Sequence, residues 1–150
     1  MKPEQVIGAV GMSSMAIRPG DTSVAQGVND LPVVGSNQIL SLMESACSAA
    51  LIEFLDFGET SVTFNTQLDV LGAAGVGTEI HATARCLGLV ENILKFEVEV
   101  HQSARLIASG IISRKFVERV SFMARVAAET MVAEKESNSR DEKIASSLRI

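Results

Sequence analysis

From residue 60 to residue 118 the chain alternates apolar and polar side chains with a period of two, in four stretches parted by turn signals. Over 60–70, Val62, Phe64, Thr66 and Leu68 trade places with Ser61, Thr63, Asn65 and Gln67. Over 78–90, Ile80, Ala82, Ala84 and Cys86 fall on one phase, and Glu79, His81, Thr83 and Arg85 on the other. Phe96, Val98 and Val100 alternate with Lys95, Glu97, Glu99 and His101, and 105–118 completes the set. A period of two marks a half-buried strand. Glu91-Asn92 and Gln102-Ser103 are hairpin turns, so the last three strands form an antiparallel sheet with one wet face. Such a sheet must bury its apolar face against another element, which limits the fold more than any other feature of the chain.

The covering element lies upstream. Ser36 to Phe54 reads as a helix, with Gly35-Ser36 as its N-cap and Asp56-Phe57-Gly58 as its stop. Its apolar residues, among them Ile39, Leu42, Met43, Ala46, Cys47, Ala50 and Leu51, cover more than one face, as in a helix buried on most sides. One such helix and one antiparallel sheet make an α+β fold with the helix on one sheet face. The sheet's exposed edges need covering, and a homodimer joined edge to edge would supply it. Before the helix, 12–17 reads as a short strand and 21–35 as a long loop of the sort that often carries function. Residues 119–133 regain a helical period. From Glu134 to Lys143 seven of ten residues are charged and none is apolar, which reads as a solvated helix end grading into a tail; we expect one domain over 1–133 and a charged, disordered tail over 134–150.

Composition removes whole classes of function. At 150 residues the chain has room for one ordinary domain. Aromatics are 4%, with no Trp or Tyr, which leaves no platform for stacking bases, and a net charge of -5 opposes a phosphate backbone. We therefore expect no nucleic-acid partner. Two cysteines, Cys47 and Cys86, are too few for the usual zinc cluster or a disulfide framework. Cys47 lies beside Ala46 and Ala50 and is expected to pack. No run of about 18 apolar residues suggests a membrane span. The uncharged stretch Gln5 to Ile17 is broken by Gly8, Gly11, Ser13 and Ser14, which favours a first strand over a signal peptide. The expected setting is cytoplasmic.

Between Leu31 and Ile52 a single side chain carries a formal charge, Glu44, in the middle of the apolar helix. Burying a carboxylate is costly unless it is partnered. Ser41, Glu44, Ser45 and Ser48 share one helical face at the i, i+3, i+4, i+7 spacing. That stripe has two readings. It is a narrow wet face of a rotated helix, or it is a catalytic face. In the second reading a partly desolvated Glu44 is a general base or nucleophile, and Ser48 orients it. Gly35-Ser36-Asn37 then brings the N–H groups of the helix start toward developing negative charge. A base with an oxyanion site suits acyl transfer or thioester hydrolysis. His81 and His101 fall on the polar phase of their strands and are expected to face solvent.

The stretches Ser36-Asn37-Gln38-Ile39-Leu40-Ser41-Leu42-Met43-Glu44-Ser45-Ala46, Gly58-Glu59-Thr60-Ser61-Val62, Gln67-Leu68-Asp69-Val70-Leu71, Val76-Gly77 and Ala108-Ser109-Gly110 through Arg114 resemble the fluoroacetyl-CoA thioesterase-like family of hotdog-fold proteins. The likeness runs from Val34 to Arg114. It implies a long helix wrapped by an antiparallel sheet and a homodimer with acyl-CoA sites between subunits. It also implies no metal and no cofactor beyond the coenzyme A of the substrate. Family enzymes use a threonine or serine at the helix start, a glutamate on the helix and a histidine after the first long strand. Ser36 and Glu44 stand at the first two positions, and the family's last-strand arginine is Arg114, whose plainer reading is a surface or interface ion pair. Gly35, Asn37, Thr63, Val70 and Arg114 are the substrate-binding candidates on this likeness.

The departures are informative. The histidine position holds Val70, which can neither take nor give a proton. A family glycine is Thr63, expected to narrow the site, and the usual Thr-Pro before Val76-Gly77 is Ala74-Gly75. Two functions are consistent with these residues. One is a thioesterase for a small or medium acyl-CoA, driven by Glu44 with Ser36 and the helix N-terminus polarising the carbonyl. The other is a non-catalytic hotdog that binds acyl-CoA or serves as a dimeric scaffold.

Overall fold

A computed structural model describes residues 2–148. Its strands are β1 (Val10–Ala16), β2 (Glu59–Val70), β3 (Glu79–Val90), β4 (Ile93–Gln102) and β5 (Arg105–Glu118). Its helices are α1 (Ser36–Leu51) and α2 (Arg119–Leu148). The strands form one sheet in the order β1-β3-β4-β5-β2, so β1 and β2 are its two edges. β3–β4 and β4–β5 are antiparallel, as their hairpin spacings require, and β1 also runs antiparallel to β3. The β3–β4 turn places Glu91 at φ 58°, and the β4–β5 turn places Ser103 at φ 52°, the left-handed backbone that tight hairpins use.

The chain divides into two compact units. One comprises the residues up to Phe57 with Ser61–Phe116, and the other Gly58–Thr60 with the residues from Val117 onward. In the first, α1 lies against β1, β3 and β4. The apolar phases meet there: Ile80, Ala82, Ala84 and Cys86 of β3 and Leu94, Phe96, Val98 and Val100 of β4 are buried with Ile39, Met43, Ala46, Cys47 and Ala50 of α1. Gly11 allows β1 to cross α1, because a Cβ at that position would overlap the Ala46 carbonyl oxygen and the Ala50 nitrogen. The first strand thus starts two residues earlier than its expected span.

Three details differ from expectation. Helix α1 ends at Leu51, three residues before Phe54, and a turn follows. Its buried residues form one side only, while Ser41, Ser45, Ser48 and Ala49 are exposed. The N-cap is Gly35, with no side-chain cap bond; Ser36 is the first helical residue, so its hydroxyl is not the cap.

In the second unit, the segment expected as a disordered tail from Glu134 continues α2 to Leu148. Its Glu, Lys and Arg are good helix formers, and Glu136 and Arg140 stand at the favourable i, i+4 spacing. The Glu118 carboxylate accepts the N–H groups of Val120 and Ser121 at 3.0 and 2.7 Å, which starts the helix. These bonds, that of the Ser121 hydroxyl first, hold the Glu118 carboxyl below the usual range. Among the described residues no helix is long and apolar enough to cross a membrane.

Candidate active site

Glu44 is half-buried at the border of the buried side of α1, with Ser41, Ser45 and Ser48 exposed beside it. It reaches β2: the Thr63 hydroxyl donates to Glu44 Oε1 at 2.6 Å. Behind it stands Arg114, on the buried phase of β5 that also carries Ala108 and Ile112. Arg114 is 7% exposed, and three bonds tie its guanidinium to β2. Nη1 donates to Thr63 Oγ1 at 2.9 Å, Nε to Ser61 Oγ at 2.9 Å and Nη2 to the Ser61 carbonyl at 3.0 Å. A buried guanidinium needs such partners, since an unpaired one would be strongly destabilising.

Glu44, Thr63 and Arg114 line a cleft of about 540 Å³ together with Ser41, Ser45, Ser48 and Val62. The stripe of serines read from α1 is one wall, and β2 with the end of β5 is the other. Ser61 was not singled out in the sequence. Its only signal is its place in an alternating stretch. In the fold Ser61 and Thr63 turn toward Arg114 and Glu44, and Val62 lines the same cleft, while farther along β2 Leu68 packs on the core and Phe64 is 61% exposed.

The other candidates lie elsewhere. Ser36 and Asn37 are exposed at the start of α1, and Gly35 is buried. Ser36 is eight residues before Glu44, about 12 Å along the axis and about 80° around it, whereas Asn37, seven before, falls nearly beneath Glu44. Neither lines the cleft of this chain. The helix start is held firmly: Gly35 N–H donates to the Asp21 carbonyl at 3.0 Å, and Val34 N–H to the Ala74 carbonyl at 2.8 Å. The Arg18 backbone N–H donates to the Asp21 carboxylate at 2.9 Å and holds its pKa below the usual value. Val70 ends β2 half-exposed, away from the Glu44 cleft. His81 and His101 face each other across β3 and β4 on the sheet's outer side, not in the cleft.

Cys47 is fully buried behind Glu44. Burial pushes its thiol up to about 12; Arg114 opposes this, and Glu44 and Cys86 add to it. The thiol is a packing group and no nucleophile at neutral pH. Among the described residues no group of three or more His, Cys, Asp or Glu side chains is arranged to hold a metal ion.

A family profile described as fluoroacetyl-CoA-specific thioesterase, FlK, matches residues 17–120. Curated protein sequences give no match. Among solved structures, a threonine-to-serine mutant of the fluoroacetyl-CoA thioesterase FlK in complex with acetyl-CoA superposes with a TM-score of 0.77 at 24% identity, covering 83% of this chain and 98% of that one. A hot-dog-like protein from Thermanaerovibrio acidaminovorans gives 0.78 at 18% identity, covering 86% and 97%. A thioesterase-superfamily protein from Thermus thermophilus gives 0.73 at 19%, covering 89% and 96%. These likenesses establish the hotdog fold. With the profile match spanning more than half of its length, the chain belongs to the fluoroacetyl-CoA-specific thioesterase family.

Proposed function

We propose that the protein hydrolyses the thioester of a small or medium acyl-CoA, with Glu44 as general base or nucleophile. The observation that carries this reading is a carboxylate set in a polar cleft, bonded to Thr63 and backed by the buried Arg114. One oxygen of Glu44 is engaged by Thr63, which leaves the other to take a proton from water or to attack the thioester carbonyl. In this reading Ser36, Asn37 and the N–H groups behind Gly35 polarise the thioester carbonyl. They are too far along α1 to serve the Glu44 of their own chain, so the site is completed by a second copy. Edge strand β2, twelve residues long with Phe64 outward, supports an edge-to-edge homodimer. Ser48 lines the cleft one turn beyond Glu44 and positions it or its water.

Hydrolysis of a panel of short, branched and aryl acyl-CoAs by the wild type and by Glu44→Ala tests this reading. Turnover that collapses in the variant supports it. No turnover on any member of the panel, or turnover indifferent to the substitution, overturns it.

Val70 favours a second reading, a hotdog that binds acyl-CoA without cleaving it. An acyl-CoA that raises the melting temperature of the wild type without being hydrolysed supports that reading. A large gain in turnover from Val70→His would mark the chain as a family scaffold that has lost its histidine.

A further inference from the structure

The bonds around Thr63 have only one possible direction. Arg114 has donors and no acceptor, so Thr63 Oγ1 must accept from Nη1. The hydroxyl has one proton, and Glu44 Oε1 at 2.6 Å receives it. The three nitrogens of the guanidinium are each committed, Nη1 to Thr63 and Nε and Nη2 to Ser61. A guanidinium forked directly onto a carboxylate takes both carboxylate oxygens. Here the charge of Arg114 reaches Glu44 through a hydroxyl that takes only one. Thr63 also suits the task conformationally, because a β-branched side chain on a strand has a stiff χ1 and holds its hydroxyl in place.

We propose that Thr63 is a positioning residue for Glu44: it relays the polarity of the buried Arg114 to one carboxylate oxygen, fixes the side-chain orientation and keeps the second oxygen available for the reaction. Ser61 serves the same end one step removed, by anchoring Arg114. This assignment rests on the thioesterase reading of the cleft. It gives the chain a means of orienting its carboxylate that uses no histidine.

The test compares steady-state hydrolysis of the best acyl-CoA of the panel by wild type, Thr63→Val and Thr63→Ser, with folding followed by circular dichroism. Thr63→Val keeps the shape and removes the hydroxyl. It is expected to lower kcat about tenfold to hundredfold, the weight of one hydrogen bond to a charged group, with KM within about threefold. Thr63→Ser restores the hydroxyl and is expected to keep kcat within about threefold of the wild type. If Thr63→Val does not fold, Thr63→Ala carries the same contrast. Wild-type kcat in Thr63→Val overturns the assignment, as does a Thr63→Ser loss equal to that of Thr63→Val, which would make the effect one of packing. Absence of wild-type turnover on the whole panel overturns the thioesterase reading and this assignment with it; turnover that ignores Thr63 overturns the assignment alone.

Discussion

β3–β4 and β2 are parts of one sheet, yet they treat their alternating side chains differently. On β3 and β4 the apolar phase faces α1 and is buried, as binary patterning demands. On β2 neither phase is buried as a whole: Ser61 and Thr63 are directed at Arg114 and Glu44 beside Val62, Leu68 packs on the core, and Phe64 is left outside. The helix between them shows the same division: Met43 and Cys47 belong to the apolar wall, Glu44 and Ser48 to the polar one. One part of the sheet is built for stability and the other for holding charge.

That contrast can be broken from either side. Phe96→Ala, in the apolar wall, is expected to cost about 3–5 kcal/mol in denaturant unfolding. Gly110→Ala acts where the walls join, since its Cβ would overlap the Gln67 carbonyl oxygen and crowd Met43. It is expected to cost about 1–3 kcal/mol as overpacking. Ser61→Ala, in the polar wall, removes one acceptor from Arg114 and is expected to cost only about 1 kcal/mol, because the open cleft admits water in its place. A Ser61→Ala loss as large as that of Phe96→Ala would erase the distinction. The smallest effect near neutral pH concerns Cys47. With its thiol raised to about 12, the native protein should resist alkylation at pH 8 while the unfolded chain reacts. The sign of the linkage follows. A raised pKa adds stability that is complete below the ordinary thiol value, and that part is lost as the pH climbs from there toward about 12.

Much of this was legible in the residues. The four alternating stretches located β2 to β5 to within a residue or so, because a period of two survives any packing detail. Glu44 stood out as the lone charge in an apolar helix. Thr63 is readable only as a residue that narrows the site, since its role depends on Glu44 of α1 and Arg114 of β5 both reaching it, which alternation along β2 does not say. Arg114 looked like an ion-pairing surface residue until its partners proved to be Ser61 and Thr63. Ser36 looked close to Glu44 along the sequence, but helical rise puts about 12 Å between them in one chain. The helix beyond Glu134 runs farther than the solvated end expected there, because its charges point to disorder although the same residues are good helix formers.

The account stands on Glu44 as the reacting group of an acyl-CoA thioesterase. The most direct test is steady-state hydrolysis of the best acyl-CoA substrate by Glu44→Gln, a change that keeps the side chain's shape and removes its charge. We predict a fall in kcat of about 10²–10⁴ with folding intact; activity within about threefold of the wild type would contradict the account.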